Sequence, residues 1–220
     1  MGPRNTLLLA CALAPISATQ GASILILADT ATVYATPGHS VSLNIQASNL
    51  EQTPAPGLLS MRVALSIDAD AAATADQVSI AAAGPAASSL FPNSPPLSME
   101  APNGFTVNVA TLPPSPPATL PGDGVVDLFS LELSVGPMAA GEYQLVLLPF
   151  VPTDPASPGF LALGAPPIIA PFANLPTPPH TPNSLLATIV VVPEPASTTL
   201  LVGSAFATLT GLRRHGGRYL

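Results

Sequence analysis

Apolar and polar residues alternate with a period of two along much of the chain. In the stretch SVSLNIQAS, the apolar residues Val41, Leu43, Ile45 and Ala47 share one face of an extended chain, and polar residues stand between them. Because successive side chains of a strand point to opposite faces, this pattern predicts a half-buried strand. Four more segments alternate in the same way, with apolar members Met61, Val63, Leu65 and Ile67; Phe105, Val107 and Val109; Phe129, Leu131, Leu133 and Val135; and Tyr143, Leu145 and Leu147.

Gly and Pro residues separate these segments. Pro37 and Gly38 in TPGH predict a tight turn, and GPMAAGE predicts another between two later strands. With SILIL, QVSIA and LLATIVVV, the count reaches about eight strands. The pattern predicts an all-β fold with two packed antiparallel sheets, a β-sandwich, over residues 22–192. The Ala-rich DADAAATAD before QVSIA is also compatible with a short helix.

Composition limits the core and excludes one class of function. The chain has 29 prolines and no Trp, so strands are expected to be short and joined by extended loops. Lys is absent, and between Ala22 and Val192 only Arg62 is positive, against eleven acids. Such a domain cannot neutralise phosphates, which excludes nucleic acid as a partner.

The N-terminus has the order of a signal peptide. Arg4 precedes an apolar run from Leu7 to about Ile16, and small residues follow. This order predicts a signal peptide over residues 1–21, cleaved between Gly21 and Ala22. Two alternatives are a buried terminal strand or helix and a lipid on Cys11. Cys11 is the one cysteine, so a processed chain has no thiol, disulfide or cysteine metal site.

The C-terminus combines a membrane span with basic residues. Residues 196–212 carry no charge and would reach roughly 25 Å as a helix, close to the thickness of a hydrocarbon core. Arg213 and Arg214 follow at once and predict a cytoplasmic C-terminus. Pro193 and Pro195 terminate the strand before the span. By itself, this pattern also fits a simpler interpretation, in which the prolines only end the strand and the span that follows anchors the protein in the membrane.

Residues 193–220 closely resemble the PEP-CTERM sorting signal of exported proteins in Gram-negative bacteria. The matching residues are the triplet Pro193, Glu194 and Pro195, the span 196–212, and the arginines Arg213 and Arg214. The resemblance implies that an integral-membrane exosortase recognises the triplet, removes the tail and releases or transfers the protein to the cell surface. The extension HGGRYL after the arginines is longer than the usual ending of the family.

A second resemblance concerns the domain between the two ends. The stretches VYATPGHSVSLNIQASNL, LLSMRVALSID and FSLELSVGPMAAGEYQLVL are similar to cohesin-like jelly-roll domains. This resemblance implies a sandwich of the jelly-roll type. Cohesins bind dockerins through one sheet face, and no residue of this sequence identifies such a face.

Candidates for chemistry are few. Asp68, Asp70 and Asp76 in IDADAAATAD can offer oxygen ligands to calcium, but the spacing lacks the Gly and Glu of an EF-hand loop, which favours solvated loop acids. The same holds for Asp123 and Asp127 in PGDGVVD. The histidines His39, His180 and His215 accompany no G-x-S-x-G motif. We therefore expect neither an enzyme nor a bound cofactor.

The two ends predict an exported protein with a membrane anchor, and the resemblance to exosortase substrates implies a bacterial cell-surface or extracellular-matrix protein with a structural or adhesive role. We expect it to pass through the inner membrane, where exosortase is its partner, and to reach the surface or the medium. Extracellular polysaccharide and a surface protein are candidate ligands of the domain. The alternative is a permanently membrane-anchored sandwich that binds a protein or a glycan.

Overall fold

The structure, a computed structural model, describes residues 23–74, 77–101, 104–149, 157–163, 168–175 and 184–192. These residues form thirteen strands in two sheets and contain no helix, which confirms the all-β sandwich. The strands are β1 Ile24–Ala28, β2 Thr32–Ala35, β3 Ser40–Asn49, β4 Ala55–Ala69, β5 Val78–Pro85, β6 Leu97–Ala101, β7 Gly104–Ala110, β8 Ala118–Leu120, β9 Val125–Val135, β10 Gly141–Leu147, β11 Gly159–Ala162, β12 Ile168–Ala170 and β13 Ser184–Val191.

The smaller sheet has four antiparallel strands in the order β1-β3-β9-β5. Its inner face carries the alternating apolar residues of the sequence, and Leu43, Ile45 and Leu131 among them are buried. The polar residues between them form the outer face. The period of two therefore predicted correctly which side of these strands lies in the core.

The larger sheet has nine strands and is centred on β4, which has 15 residues. One edge of β4 pairs with β7 and β8, and the other with β10 and β11. β6 pairs with β7, β12 with β11, and β13 with β10. β2 pairs with β13 in parallel, so the prediction of purely antiparallel sheets is wrong at this one pair.

Five short strands were not predicted from the sequence: β2, β6, β8, β11 and β12. Each has between three and five residues. A segment of this length shows at most two periods of alternation, which does not distinguish a strand from a loop. Their presence raises the number of strands from about eight to thirteen.

Two local predictions have clear outcomes. The turn at Pro37 and Gly38 is confirmed, since His39 N donates to Thr36 O (3.2 Å). Gly38 has a φ of 79°, which the third residue of a type II turn requires. After β4 the chain turns where Ala73 N donates to Asp70 O (2.8 Å), and residues 70–74 contain no helix.

The predictions for the two ends of the chain fall on residues that the structure does not describe. These are the signal peptide over residues 1–21 with its cleavage site, and the sorting residues Pro193, Glu194, Pro195, Arg213 and Arg214. Among the described residues, no helix has the length and apolar character needed to cross a membrane.

Candidate binding site

On one side of the sandwich, which we call the closed side, the chain joins the two sheets. It passes from β1 in the smaller sheet to β2 in the larger sheet through residues 29–31. Residues 171–175 lie along the outer edge of β1, where Ala173 N donates to Ile24 O (2.7 Å). The Asn174 side chain accepts from Ile26 N (3.1 Å) and donates to Ile26 O (2.6 Å), as a neighbouring strand would.

The opposite side, which we call the open side, lies between β5 and β6. β5 is the last strand of the smaller sheet, and β6 is bonded only to β7 in the larger sheet. No hydrogen bond between described residues reaches the outer edge of β6. Main-chain groups at such an edge are available to a further strand.

A groove of about 370 Å³ runs between the two edge strands of the open side. Its walls are formed by β4, β5 and β7 and are of mixed polarity, with Ile67, Val78, Ile80 and Phe105 beside Ser66 and Ser79. Glu100 of β6 also lines the groove and is exposed. The groove therefore combines apolar side chains and two serines with one exposed carboxylate.

The two faces of β6 differ. Leu97 and Met99 are opposite Asn108 and Thr106, on the outer face of the larger sheet. They are 67% and 62% exposed, which is unusual for large apolar side chains. Ser98 and Glu100 lie on the inner face, where Glu100 lines the groove. The β6 strand thus presents two apolar side chains to solvent on one face and a carboxylate on the other.

The direction of the β6 main-chain groups follows from the pairing of β7 with β4. Thr111 N donates to Leu59 O (2.8 Å), which makes these residues a hydrogen-bonded pair at the end of the ladder. The β7–β4 register is uninterrupted from there to Phe105. Because hydrogen-bonded pairs alternate in an antiparallel ladder, the N–H and C=O of Thr106 point away from β4 and toward β6.

Thr106 is opposite Met99, so Met99 is hydrogen-bonded to β7. Because the direction of the main-chain groups alternates along a strand, the residues on either side of Met99 direct theirs the opposite way. The N–H and C=O groups of Ser98 and Glu100 point away from β7, toward the open edge. Four main-chain groups at this edge are therefore positioned for a further strand.

Arg62 lies near this surface. It stands on the outer face of β4, and its Nε donates to Asn108 Oδ1 (2.7 Å). A shallow pocket of about 180 Å³ lies beside it, lined by Ser60, Phe160 and other residues. The outer face of the larger sheet therefore offers apolar contacts at Leu97 and Met99 and a charged contact at Arg62.

The outer face of the smaller sheet has a different character. It carries small polar residues such as Ser42, Asn44 and Ser130, with no exposed large apolar side chain on β9 beyond Val125. Asp127 accepts from Gln46 Nε2 (2.8 Å) and from Ser88 Oγ (2.6 Å). Both carboxylate oxygens of Asp127 therefore already have partners.

The predicted calcium ligands are not brought together by the described residues. Asp68 Oδ1 accepts from Ser66 Oγ (3.2 Å), and Asp70 Oδ1 accepts from Ala71 N (2.7 Å). Asp76 lies outside the described residues, and Asp123 stands in a turn with a φ of 50°. In the described ranges, no three His, Cys, Asp or Glu residues are grouped to hold a metal ion. The calcium site stays a prediction.

Sequence reasoning missed the β6 edge. The segment PPLSMEAPNG has Leu97 and Met99 two residues apart between Pro96 and Pro102. This is a signal of a short edge strand bounded by prolines. It carries too few alternating positions to be separated from a proline-rich loop.

No protein-family model and no curated protein matches the sequence. Solved structures do match. The sixth cohesin of scaffoldin B from Acetivibrio cellulolyticus, in complex with a Cel5 dockerin variant, has 13% sequence identity and a TM-score of 0.50. The match covers 77% of this chain and 99% of that cohesin. The fold is cohesin-like.

Two further cohesins match over similar lengths. The OlpA cohesin of Clostridium thermocellum, in complex with Doc918, has 12% identity, a TM-score of 0.49, and coverage of 77% of this chain and 99% of that one. A non-cellulosomal cohesin from Archaeoglobus fulgidus has 15% identity, a TM-score of 0.47, and coverage of 82% and 98%. At these identities the likeness concerns the fold, and no binding residue is transferred.

Proposed function

We propose that this chain is an exported bacterial surface or matrix protein whose sandwich binds another protein through the open side. The observation that carries the proposal is β6, where two exposed apolar side chains, a groove and four available main-chain groups lie together. The first of the similar cohesins was determined in complex with a dockerin, which supports a protein as the kind of partner. We assign no catalytic step to the chain.

The proposal for sorting rests on the sequence of the two ends. A signal peptide, the domain, the triplet Pro193-Glu194-Pro195, the span 196–212 and the pair Arg213-Arg214 follow one another in the order of exosortase substrates. We propose passage through the inner membrane, removal of the tail by exosortase, and a structural or adhesive role outside the cell.

The binding role is tested by photo-crosslinking in the native host. The amino acid p-benzoylphenylalanine replaces Leu97 on the open side or, as a control, Ser42 on the outer face of the smaller sheet. We expect a protein adduct of defined mass from position 97 and none from position 42. Equal adducts from both positions, or none from position 97, contradict the proposed surface.

Sorting is tested by replacing Pro193, Glu194 and Pro195 with alanine. If the triplet is recognised, the variant keeps its tail, accumulates in the membrane and is lost from the surface fraction, which intact mass and fractionation measure. Replacing Arg213 and Arg214 with neutral residues is the companion variant, expected to weaken membrane orientation while leaving the triplet intact. Normal removal of the tail in the alanine variant contradicts recognition of the triplet, whereas a tail that the unaltered protein also keeps in the membrane favours the permanently anchored module.

A further inference from the structure

We infer that the open side binds an extended segment of its partner as an added strand on β6, with a basic side chain opposite Glu100. This inference deepens the proposed binding role and rests on it. It specifies the partner's backbone conformation and the charge of one side chain, neither of which the cohesin-like fold provides.

The main chain supplies the first argument. Ser98 and Glu100 each direct one N–H and one C=O to the open edge, so an added strand gains up to four hydrogen bonds. β6 has five residues, and prolines precede and follow it in the sequence. The edge is therefore long enough for a short segment and too short for extended sheet-to-sheet pairing.

The side chains of the added strand would alternate between two environments. Residues opposite Leu97 and Met99 would lie on the outer face beside these exposed apolar side chains. Residues opposite Ser98 and Glu100 would lie on the inner face, and the residue opposite Glu100 would point into the groove. This arrangement selects apolar residues at alternate positions of the partner segment.

The groove selects a basic residue at the position opposite Glu100. A Lys or Arg side chain has an apolar stem, which fits against Ile67, Val78 and Ile80, and a charged head, which reaches the carboxylate. The whole domain is acidic, with Arg62 against eleven acids between residues 22 and 192. The full chain has a formal net charge of −7, so two copies repel each other. Charge complementarity therefore favours a basic partner over a second copy of this chain.

The test uses the full-length chain, purified in detergent, and fluorescent nine-residue peptides. The probe is Thr-Val-Lys-Val-Thr-Val-Lys-Val-Thr, which reads the same in both directions and so fits parallel or antiparallel addition. The control peptide has Glu in place of both Lys residues. We expect the Lys peptide to bind at least tenfold more tightly than the Glu peptide, as measured by fluorescence anisotropy.

The decisive variant is Ser98→Pro. It removes one edge donor and places a ring at the edge, while no hydrogen bond between β6 and β7 is lost. We expect Lys-peptide affinity to fall at least tenfold in Ser98→Pro and to stay within twofold in the matched variant Ser98→Ala. Equal affinity of the proline variant and the wild type overturns strand addition.

The charge assignment has its own pair of variants. Glu100→Lys should reverse the preference between the two peptides, whereas Glu132→Lys, the same charge change on the outer face of the smaller sheet, should keep it. A Lys preference that persists in Glu100→Lys overturns the role of Glu100.

Three other outcomes would also overturn the inference. A dimer of the wild type that Ser98→Pro dissociates would give the edge to a second copy and overturn the inference. Failure of all peptides to bind, with crosslinks from position 97 retained, would overturn strand addition and leave the proposed binding role intact. Loss of both would overturn the two together.

Discussion

On the closed side of the sandwich, a loop covers the edge of β1 and bonds to Ile24 O and to the N–H and C=O of Ile26, whereas on the open side the edge of β6 has no such cover among the described residues. Both edges belong to the outermost strands of their sheets, and both carry polar main-chain groups. They differ in what lies beside them. The Asn174 side chain stands beside β1, and a groove beside β6.

On the closed side, a side chain in place of another strand bonds to main-chain groups at the edge of β1. The Asn174 amide offers one acceptor and one donor in the geometry of a peptide group, and both bond to Ile26. Ser184 Oγ also donates to Asn174 O, which ties the loop to the start of β13. Phe172 and Leu175 anchor the loop in the core. Packing and hydrogen bonding thus act together at this edge.

On the open side, no other described residue covers the β6 edge, and other features limit the risk of aggregation. β6 is short, prolines flank it in the sequence, and Glu100 places a charge on it. These are devices that natural sheets use against edge-to-edge association. The comparison indicates that the closed side contributes stability, and the exposed edge of the open side suits the binding role proposed for it.

The largest effect is expected from Phe172→Ala on the closed side. Phe172 is buried and packs against Phe160 with ring centroids 6.1 Å apart. Its truncation leaves a cavity and releases the loop, and we expect a loss of about 3–5 kcal/mol in the free energy of unfolding. Urea denaturation followed by circular dichroism measures it. A loss below about 1 kcal/mol would mean that the loop does not anchor the closed side.

Asn174→Ala should have the next largest effect. It leaves the N–H and C=O of Ile26 without partners at a buried position, which costs about 1–3 kcal/mol. Asn93→Ala is the matched control, since Asn93 makes an exposed side-chain hydrogen bond to Ser115. Equal effects of the two substitutions in the same denaturation experiment would contradict the role of Asn174 as a substitute strand.

The sequence predicted the long strands of both sheets but not the contacts at the edges of the closed and open sides. Period-two alternation identified β3, β4, β7, β9 and β10 and their buried faces, because each is long enough to show several periods. Nothing local predicted the contact between Asn174 and Ile26, which are 148 residues apart. A side-chain amide that replaces a strand has no periodic signature, and the parallel pairing of β2 with β13 likewise depends on tertiary structure.

The candidate site was missed for a related reason. The groove is built from residues of β4, β5, β6 and β7, so its walls come together only when the two sheets pack. Leu97 and Met99 were visible in the sequence as apolar residues, but their exposure depends on β6 being an edge strand. The acidic balance of the domain was visible, and it is what now favours a basic partner.

A smaller effect is expected from the double variant Leu97→Ser and Met99→Ser on the open side. Both side chains are largely exposed, so the free energy of unfolding should change by no more than about 0.5 kcal/mol. Binding of the Lys peptide should nevertheless weaken, because the outer-face contacts are removed. A loss of stability comparable to that of Phe172→Ala would show that these residues belong to the core.

The smallest effect on stability is expected from Ser98→Pro, whose purpose is to separate recognition from folding. The N–H of Ser98 points to the open edge, so the ladder between β6 and β7 keeps all its bonds. The proline ring also restricts the unfolded chain, which offsets part of any strain. We expect a change within about 0.5 kcal/mol by the same urea denaturation. Met99→Pro is the matched control, and it removes a donor that is bonded to β7, at a cost of about 1–3 kcal/mol. If the two prolines destabilise equally, the alternation of main-chain groups along β6 is assigned wrongly, and the open edge directs different residues to its partner.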